Sequence, residues 1–542
     1  MPLRIQNSIF RQGALAAGLS ALFFFAGASM PSLASAQMLS VGGAVEVYEP
    51  ADQGGPIGDP TSNQYFGGVL AVGDFNGDGI DDLAIGIPED LGGPLAGRRP
   101  GAGSVALIYG QPGSTLAIVN AWYLGQPWSG ADPNVQEAGD HFGCALAAGD
   151  FNGDFVDDLA VGVCNESLGG ASEAGAVSIF YGVFGGALST PDQTLTEATP
   201  RAGFHFGQAL ATGDINHDGY DELVAGTISD PQGVFVFYYG SSPGLPGVGS
   251  VIANPAHPGF AAGANCAIGD FNGDGYSDFV YGGSYSGGTA GDAIVFRGSA
   301  AGLDLSVSLL LNQETLVNDA VDGGSEVGDR FADALLATDL NHDGYVDLVV
   351  GAPGEDVGAE GSEFIDAGAA YVILGSPSGL DRPSATYWTE NSMAVQTVIA
   401  DGDGFGTDFA AGDSDHDGYQ ELAIGSPFKT VSGQTQAGLV ILLWGSASGP
   451  TDVGVARVWS QDSPGVPDYS EPGDHFGRVL AFGDFNDDLH LDLAIASPDE
   501  DDGAGHVNLG VLTVLKGCLF CDGFEAGSFA APSPVHWTSF VP

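Results

Sequence analysis

Residues 74–82, with the sequence DFNGDGIDD, decide the fold because the chain repeats this pattern seven times in its 542 residues. The six further copies are DFNGDFVDD from Asp150, DINHDGYDE from Asp214, DFNGDGYSD from Asp270, DLNHDGYVD from Asp339, DSDHDGYQE from Asp413 and DFNDDLHLD from Asp484. The first residues of successive copies are 76, 64, 56, 69, 74 and 71 positions apart. Recurrence at such spacing is typical of an array of one supersecondary element. The chain is therefore predicted to contain seven equivalent structural units.

Each acidic loop lies between two short apolar runs. The first loop follows VLAVG and precedes DLAIG, and a third apolar run, SVALIYG, comes next. Short apolar runs bounded by Gly and Asp predict strands joined by tight turns. Glycine-rich turns then lead to a fourth strand-like run, such as AWYLG at residues 121–125. Four strands in each of seven units predict an all-β fold, a seven-bladed β-propeller with four-stranded blades whose acidic loops are β-hairpins.

The two ends of the repeat array predict how the ring closes. The seventh unit stops after GVLTVLKG without an outer strand, whereas a spare strand-like segment, GGAVEVYEP, precedes the first unit. We therefore expect residues about 42–50 to complete the seventh blade, which would join the two ends of the array.

The alternation of oxygen-bearing residues predicts a metal site in every loop. Side chains at positions one, three, five and nine converge with the main-chain carbonyl of position seven when the chain curls, and glycine at position six permits the sharp bend. Oxygen ligands of this kind suit Ca²⁺. None of the seven loops contains Lys or Arg, so their carboxylates repel one another unless a cation is present. Up to seven structural calcium ions are therefore expected.

The predicted ligands are five residues in each loop, with position seven contributing its carbonyl. They are Asp74, Asn76, Asp78, Ile80 and Asp82; Asp150, Asn152, Asp154, Val156 and Asp158; Asp214, Asn216, Asp218, Tyr220 and Glu222; Asp270, Asn272, Asp274, Tyr276 and Asp278; Asp339, Asn341, Asp343, Tyr345 and Asp347; Asp413, Asp415, Asp417, Tyr419 and Glu421; and Asp484, Asn486, Asp488, His490 and Asp492.

The loops are not identical. Phe155 and Leu489 replace the glycine of position six, so the second and seventh loops are expected to be strained, weaker or empty. The ninth residue is Glu222 or Glu421 in two loops, and the longer side chain should still reach the site.

Other interpretations of the loops explain less of the pattern. An EF-hand needs a bidentate Glu at position twelve and flanking helices, whereas position twelve of the first loop is Ile85 and the flanks predict strands. Asp-Gly and Asn-Gly also make good hairpin turns that simply face water. The alternation of acids across seven loops favours metal binding instead. Because calcium prefers oxygen, the histidines at position four are expected to face solvent; they are His217, His342 and His416.

The charge of the chain limits its partners. Sixty-nine acidic and 12 basic residues give a formal charge of −57. Nucleic acid and anionic lipid require clustered Lys and Arg, so neither is an expected partner. Metal ions and cationic partners are the expected counter-charges. Loss of residues 1–36, which contain two Arg and no acid, would change the charge to −59, and seven divalent ions would then bring it to −45.

The chain divides into three predicted regions. Residues 1–36 are typical of a secretory signal, with two Arg, an apolar stretch over 13–28 and small residues at 34–36, although an uncleaved anchor is an alternative. Residues 37–517 form the propeller, and residues 518–542 form a tail with a CxxC pattern. No other span is apolar and long enough for a membrane helix, so the mature protein is expected to be secreted or held at the cell surface.

Export permits disulfides. Cys144 and Cys164 flank the second loop symmetrically and would face each other across a hairpin, either as a bridge or as buried free thiols. Cys518 and Cys521 could close a small loop, and Cys266 is expected to pack as a small hydrophobe.

Further motifs show a family resemblance. A Phe-Gly pair precedes most loops by eight residues, at Phe66-Gly67, Phe142-Gly143, Phe206-Gly207, Phe405-Gly406 and Phe476-Gly477; the fifth unit has Phe331-Ala332 and the fourth keeps only Gly263. Gly351-Ala352-Pro353 follows the fifth loop, and related triplets follow the first, sixth and seventh. From about residue 42 to 516 the chain resembles FG-GAP repeats, the modules of the integrin α-subunit propeller and of many secreted bacterial proteins.

That resemblance implies the propeller fold and calcium in the blade hairpins, but not integrin function. Integrin α-subunits bind metal in only some blades, whereas all seven loops here carry a ligand set. The chain shows no leg region and gives no reason to expect an integrin β partner, so adhesion is an analogy at the level of the fold.

Three functions stay open. The repeats fill the chain, which favours a noncatalytic extracellular binding or adhesion module, predicted to be a monomer with a protein or glycan ligand. An enzyme acting on polysaccharide is the first alternative, although Lys429 and Lys516, the only lysines, lie beside no recognisable acid-base set. A purely structural surface component is the second. Four tryptophans near outer strands could contact sugars, although core packing is the favoured role; they are Trp122, Trp128, Trp388 and Trp459.

Overall fold

The computed structural model describes fourteen stretches of the chain. They are residues 40–41, 44–48, 64–90, 99–113, 121–127, 135–227, 234–253, 260–285, 290–316, 325–358, 363–392, 398–452, 456–501 and 508–517. The predicted signal segment, Trp128 and the CxxC tail lie outside these stretches.

Seven antiparallel sheets, the blades, follow one another along the chain. Their first strands are Val69–Gly73, Phe142–Gly149, Ala209–Gly213, Phe260–Gly269, Ala334–Thr338, Phe409–Gly412 and Val479–Gly483. The second strands are Asp82–Ile87, Asp158–Val163, Glu222–Gly226, Asp278–Tyr285, Asp347–Ala352, Glu421–Ser426 and Asp492–Ser497. The third strands are Ser104–Ile108, Ala176–Phe180, Val234–Tyr238, Asp292–Arg297, Ala369–Ile373, Leu439–Leu443 and Val511–Leu515.

The fourth, outer strands of the first six blades are Trp122–Leu124, Gln193–Leu195, Ser250–Ala253, Asp304–Leu311, Thr386–Trp388 and Arg457–Trp459. Helix is scarce in the described stretches: one α-helical turn at Gln313–Leu316 and two 3₁₀ turns at Arg382–Ser384 and Glu390–Ser392. The fold is a seven-bladed β-propeller, as the repeat spacing predicts.

The seventh blade draws on both ends of the repeat array. Ala44–Tyr48 pairs antiparallel with Val511–Leu515, so that Ala44 lies opposite Leu515 and Tyr48 opposite Val511. Ser40–Val41 then pairs with the start of Ala44–Tyr48 and adds a fifth strand to this sheet. The outer position of the last blade is thus filled by a segment that precedes the first blade in sequence.

The first strands line the inside of the ring. Each contacts the first strand of the next blade, and Val479–Gly483 contacts Val69–Gly73, which closes the circle. These strands are rich in Ala and Gly because neighbouring first strands come close at the centre: a Cβ on Gly73 would lie 3.2 Å from the Cβ of Ala148 in the first strand of the next blade.

The hydrophobic core lies between adjacent blades. In one cluster Leu83 and Ile85 of the first blade pack with Ala494 and Leu512 of the seventh. Every residue of the second strand Asp82–Ile87 is buried because both faces of each sheet meet another sheet. Such double-sided burial explains the continuous apolar runs seen in the sequence.

The Phe-Gly motif, or Phe331-Ala332 in the fifth blade, joins six of the seven blades to the one before. The six motif phenylalanines, at positions 66, 142, 206, 331, 405 and 476, are at most 1% exposed. Phe142 shows the arrangement, since its N–H donates to the carbonyl of Ala102 in the first blade at 3.0 Å. The motif therefore sets how neighbouring blades dock.

The second blade contains a disulfide. Cys144 and Cys164 are bonded, with their Cα atoms 6.2 Å apart, so the bridged alternative is the one found. Cys266 is a free cysteine.

Candidate functional site

Seven hairpin loops connect the first and second strands at one end of the blades; we call this end the loop face. The sequence predicts metal ligands at positions one, three, five, seven and nine of each loop. The structure brings these five positions of every loop into one tight turn, whose hydrogen bonds repeat from blade to blade.

Position one organises the turn. In the first loop Asp74 accepts the N–H of Asp78 at 3.0 Å with Oδ1 and the N–H of Gly79 at 2.7 Å with Oδ2. The other six loops have the same two bonds. The bond to Oδ1 measures 3.0–3.2 Å and the bond to Oδ2 measures 2.7–3.0 Å. Each position-one carboxylate is half-buried and held against the backbone.

Position five makes a second local bond. Asp78 Oδ1 accepts the N–H of Ile80 at 3.0 Å, and the equivalent bond measures 2.9–3.2 Å in the other loops. The position-five side chains are solvent-exposed in six loops, and Asp488 is half-buried in the seventh. Position seven therefore lies with its N–H turned inward onto position five.

Position nine is the buried centre of each loop. Asp82 is fully buried and accepts the N–H of Phe75 at 3.0 Å and the N–H of Gly110, beyond the third strand, at 2.9 Å. The seven residues at this position are at most 2% exposed. Glu222 and Glu421 reach the same backbone N–H of position two, at 2.7 Å each, which fits their predicted equivalence to Asp.

Burial raises the pKa of these position-nine carboxyls. The pKa rises to about 8 for Asp82, since backbone N–H bonds offset desolvation only in part and the charges of Asp78 and Asp74 raise it further. The remaining members follow the same direction: about 8 for Asp158 and Glu222, about 7 for Asp347 and Glu421, and about 6 for Asp278 and Asp492. The folded loops therefore disfavour the ionised form of these carboxyls, which a nearby cation would stabilise.

Position three bridges the turn. In five loops an Asn amide at this position donates to the position-nine carboxylate, at 3.3 Å in the first loop and 2.8 Å in the seventh. Asn341 instead donates to Asp343 at 3.1 Å. The sixth loop has Asp415 here, and its ligand oxygens lie within 4.8 Å of those of Asp413 and Glu421.

The substitutions at position six preserve the turn. Gly79 has φ +86°, and Phe155 and Leu489 adopt the same left-handed region at +66° and +69°. Both side chains point into solvent, with 93% and 68% of their surface exposed. The second and seventh loops thus keep the shared hydrogen bonds at the expense of backbone strain.

The position-four histidines are solvent-exposed, as expected. Two of them contact the next blade: the ring of His217 meets Tyr276 with 6.1 Å between centroids, and that of His416 meets His490 at the same distance. Both contacts join position four of one loop to position seven of a neighbouring loop.

Position eight links the loops around the ring, which the sequence analysis missed. The N–H of Asp157 donates to the carbonyl of Asp74 at 3.0 Å, while its Oδ2 accepts the N–H of Asp74 at 2.8 Å. Backbone links of this kind join six neighbouring pairs, including Asp81 to Asp484 at 3.2 Å across the closure. The acid at position eight in the first three loops was the available signal.

The donor set fits a hard divalent cation. Each loop offers carboxylate or amide oxygens at four positions, and an ionised carboxylate has about four lone pairs, so one or two N–H bonds leave room for a metal. Carboxylates, amides and carbonyls are the ligands that Ca²⁺ prefers. In the sixth loop the oxygens of three acidic side chains, Asp413, Asp415 and Glu421, converge within 4.8 Å, and in the other loops the match to a metal site rests on the types of donor present.

The lysine and tryptophans named as alternatives are placed differently. Lys429 is 4% exposed and ion-paired with Glu390 at 2.5 Å and Asp403 at 2.7 Å. A base acting on a polymer in solvent would need to be accessible, so this lysine does not suit that role. Trp388 and Trp459 are half-buried against blade cores, whereas Trp122 is 53% exposed.

Parts of the chain are similar in sequence to known proteins. The FG-GAP repeat family matches residues 66–108, 142–180, 206–233, 331–373 and 405–443. Integrin alpha-PS2 of Drosophila melanogaster is 31% identical over 194 residues, which cover 34% of this chain and 12% of the integrin. Phosphatidylinositol-glycan-specific phospholipase D of Bos taurus is 32% identical over 170 residues, 31% of this chain and 19% of the phospholipase.

These relatives are much longer than the matched segments, so the chain spans less than a fifth of either one. Among solved structures, the exotype rhamnogalacturonan lyase YesX aligns with a TM-score of 0.42 and 14% identity, covering 87% of this chain and 76% of the lyase. No helix in the described part of the chain has the length and apolar character needed to cross a membrane.

Proposed function

We propose that this chain, whose propeller contains five stretches matching FG-GAP repeats and resembles integrin α-subunits in sequence, acts outside the cell as a calcium-stabilised binding or adhesion module. Calcium in the hairpin loops would be structural, and the ligand would be an extracellular protein or glycan. The chain would reach that location through export directed by residues 1–36.

The continuity of the loop face carries this proposal. Six backbone links and three carboxylate links join the seven loops into one hydrogen-bonded series that includes the closure between the seventh and first loops, so ordering one loop constrains its neighbours. An ion at each loop would neutralise half-buried and buried carboxylates that otherwise repel one another. Metal binding would thus stiffen the whole face rather than isolated turns.

Adhesion fits this rigid architecture. A preorganised surface loses little conformational entropy on binding, which favours recognition of a partner. Blades occupy most of residues 64–517, and the chain is 31% identical to integrin alpha-PS2 over 194 residues. Recognition by the propeller is therefore the function that the geometry supports best.

The binding test uses the mature chain, residues 37–542. The protein is immobilised and probed with extracellular-protein and glycan arrays, in calcium buffer and in chelator. We expect ligands that bind in calcium and are lost in chelator. A matched variant with Asp74→Asn and Asp78→Asn should weaken the calcium-dependent signal, and arrays that stay blank in calcium would contradict the binding proposal.

The calcium part has its own test. Metal analysis of the purified protein should find calcium, and its melting temperature should fall in chelator, because one ion at a hundredfold excess over its dissociation constant adds about 2.7 kcal/mol. Protein that contains no metal and melts identically in chelator and in calcium would overturn this part, whatever the arrays show.

A further inference from the structure

A second set of buried polar residues lies at the opposite end of the first strands, between neighbouring blades. We call each such place a junction. Three segments meet there: the residues just after an outer strand, the turn before the next Phe-Gly pair, and the turn after the next second strand. Because these residues are buried, their charges must be neutralised within the junction.

The junction of the fifth and sixth blades contains its own cation. Lys429 Nζ donates to Glu390 Oε2 at 2.5 Å, to Asp403 Oδ2 at 2.7 Å and to the carbonyl of Val398 at 2.7 Å. Lys429, Glu390 and Asp403 are each at most 4% exposed. One ammonium group at this place therefore pairs with two buried carboxylates.

The junction of the sixth and seventh blades has a carboxylate in place of that ammonium. The sequence Ser426-Pro-Phe-Lys429 is matched by Ser497-Pro-Asp-Glu500 one blade later. Asp474 takes the place of Asp403, and each accepts the N–H of the residue three positions earlier, at 2.5 and 2.6 Å. The buried acid in place of the lysine gives three carboxyl groups and no ammonium, whereas the neighbouring junction has one ammonium beside two carboxylates.

The carboxylates of this junction converge. Glu471, Asp474 and Glu500 each place an oxygen within 4.8 Å of the others. Asp474 and Glu500 are 2% exposed, whereas Glu471 is exposed and opens the cluster to solvent. In the described part of the chain, neither Asp474 nor Glu500 forms an ion pair with Lys, Arg or His.

Two buried oxygen atoms at the same junction also point to a ligand. Gln461 is 1% exposed and donates through Nε2 to Glu500 Oε2, yet among the described residues its Oε1 has no hydrogen-bond partner. Ser497 Oγ is likewise buried and unpartnered there, whereas Ser426 Oγ bonds Glu390 Oε1 and the carbonyl of Asp403, each at 3.0 Å. Buried oxygens of this kind normally have partners.

We propose that this junction binds a divalent cation of the calcium type, held by Glu471, Asp474, Glu500 and the Oε1 atom of Gln461. The site is separate from the hairpin loops, because it lies at the other end of the blades. Its ion would supply positive charge to the buried carboxylates between the sixth and seventh blades, as the Lys429 ammonium does between the fifth and sixth. An all-oxygen ligand set with three carboxylates selects hard ions over zinc or copper.

A substitution can copy the neighbouring junction. In Glu500→Lys, the new ammonium would fill the site as Lys429 does, and in Glu500→Gln one charged ligand is lost with little change in shape. Glu355→Gln is the matched control. Glu355 holds the equivalent place between the fourth and fifth blades, where Gln313 donates to it. Among the described residues Gln313 Oε1 is also buried without a partner, but that junction has no converging set of three carboxylates, so the control isolates the carboxylate cluster. All variants are made in the full mature chain.

Calcium bound per chain is measured by elemental analysis after equilibrium dialysis. We expect both Glu500 variants to bind one ion fewer than the unaltered protein, and Glu355→Gln to bind the same number. In chelator, Glu500→Lys should melt at or above the temperature of the unaltered protein. If Glu500→Lys does not fold, the ion count of Glu500→Gln decides.

Equal ion counts in the unaltered protein and a folded Glu500 variant would overturn the proposal and indicate a proton shared within the cluster. The difference of one ion does not depend on the hairpin loops, since their ligands are unchanged in every variant. If the loops prove empty, the unaltered protein would still bind the single junction ion. Failure of the calcium proposal for the loops is therefore distinguishable from failure at the junction.

Discussion

The loop face and the junctions, at opposite ends of the blades, differ in how their carboxylates are stabilised. On the loop face, the carboxylates at positions one and five bond to N–H groups within five residues of themselves, and all seven loops share this pattern. At the junctions, buried groups from three distant segments meet, and each junction differs: Lys429 balances one, whereas Glu500 adds to the charge of another. Local geometry repeats with the sequence motif, while the distant contacts diverge.

The difference shows which parts of a repeat protein tolerate change. A loop needs only its own nine residues and accepts Phe155 or Leu489 in place of glycine, because the strain is exposed and local. A junction is built from residues of three separate segments that share one buried space, so a single substitution changes the balance of charge among them. Four experiments separate these two situations, from the largest expected effect to the smallest.

The largest effect should appear in protein freed of metal by dialysis. Burial raises the folded-state pKa of Asp82 and Asp158 to about 8, against an ordinary value of 3.8, so the folded protein binds protons that the unfolded chain has released. The free energy of unfolding should therefore fall as the pH rises from about 4 to about 8. Denaturant titrations across this range measure it.

Saturating calcium is the control for this experiment. Bound ions displace the protons from the loops, so the fall with pH should become much shallower. The same slope with and without calcium would mean that the loops are hydrogen-bonded turns alone, and the loop face would lose its distinction from the junctions.

The next effect comes from Lys429→Met. Removal of the ammonium leaves Glu390 and Asp403 buried without their cation, which should destabilise the protein by about 3–5 kcal/mol. Lys516→Met, at a half-exposed lysine, is the matched control and should change stability little. Comparable unfolding midpoints for the two variants would show that the junction charge is not balanced by Lys429.

A smaller effect is expected for Asp82→Ala in chelator. This substitution leaves the buried N–H groups of Phe75 and Gly110 without an acceptor, at a cost of about 1–3 kcal/mol. Asp78→Ala removes a single bond at an exposed position and should cost less. Equal losses of stability would contradict the central role of position nine.

The smallest effect should be a gain. Phe155 adopts φ +66° with its ring in solvent, so Phe155→Gly relieves left-handed strain while adding entropy to the unfolded chain. The net stabilisation should be about 0.5–1 kcal/mol, measured by thermal melting. Ile80→Gly, at the next position of the first loop, removes a buried side chain and should destabilise instead. Destabilisation by both would show that the Phe155 ring packs in solution.

The sequence predicted the local features well because each is encoded within a few neighbouring residues. The repeat spacing gave seven blades, the alternation of apolar runs gave their strands, and the docking of Phe142 follows from a two-residue motif. Cys144 and Cys164 could be paired because they flank one hairpin symmetrically, although bridge and thiol were indistinguishable before the structure. Calcium binding and export stay predictions.

The missed features are those assembled over long distances. Asp157 contacts Asp74 in the preceding blade, and no pattern within a single loop predicts this contact. The junction at Glu500 combines residues from three segments, and only the recurring Glu-x-Gly-Asp two residues before a motif phenylalanine, at residues 137–140, 326–329 and 471–474, hinted at a shared role. Spacing rules find ligands that are neighbours in sequence, whereas tertiary contacts decide the rest.

Closure of the ring has a kinetic consequence. The N–H of Asp484 reaches Asp81 Oδ2 at 2.8 Å although 403 residues separate them, and Ala44–Tyr48 completes its sheet only with Val511–Leu515. Bringing such remote segments together has a large chain-entropy cost before any contact forms. A nascent polypeptide can thus assemble blades one after another, yet its last sheet must wait until nearly the whole chain has left the ribosome.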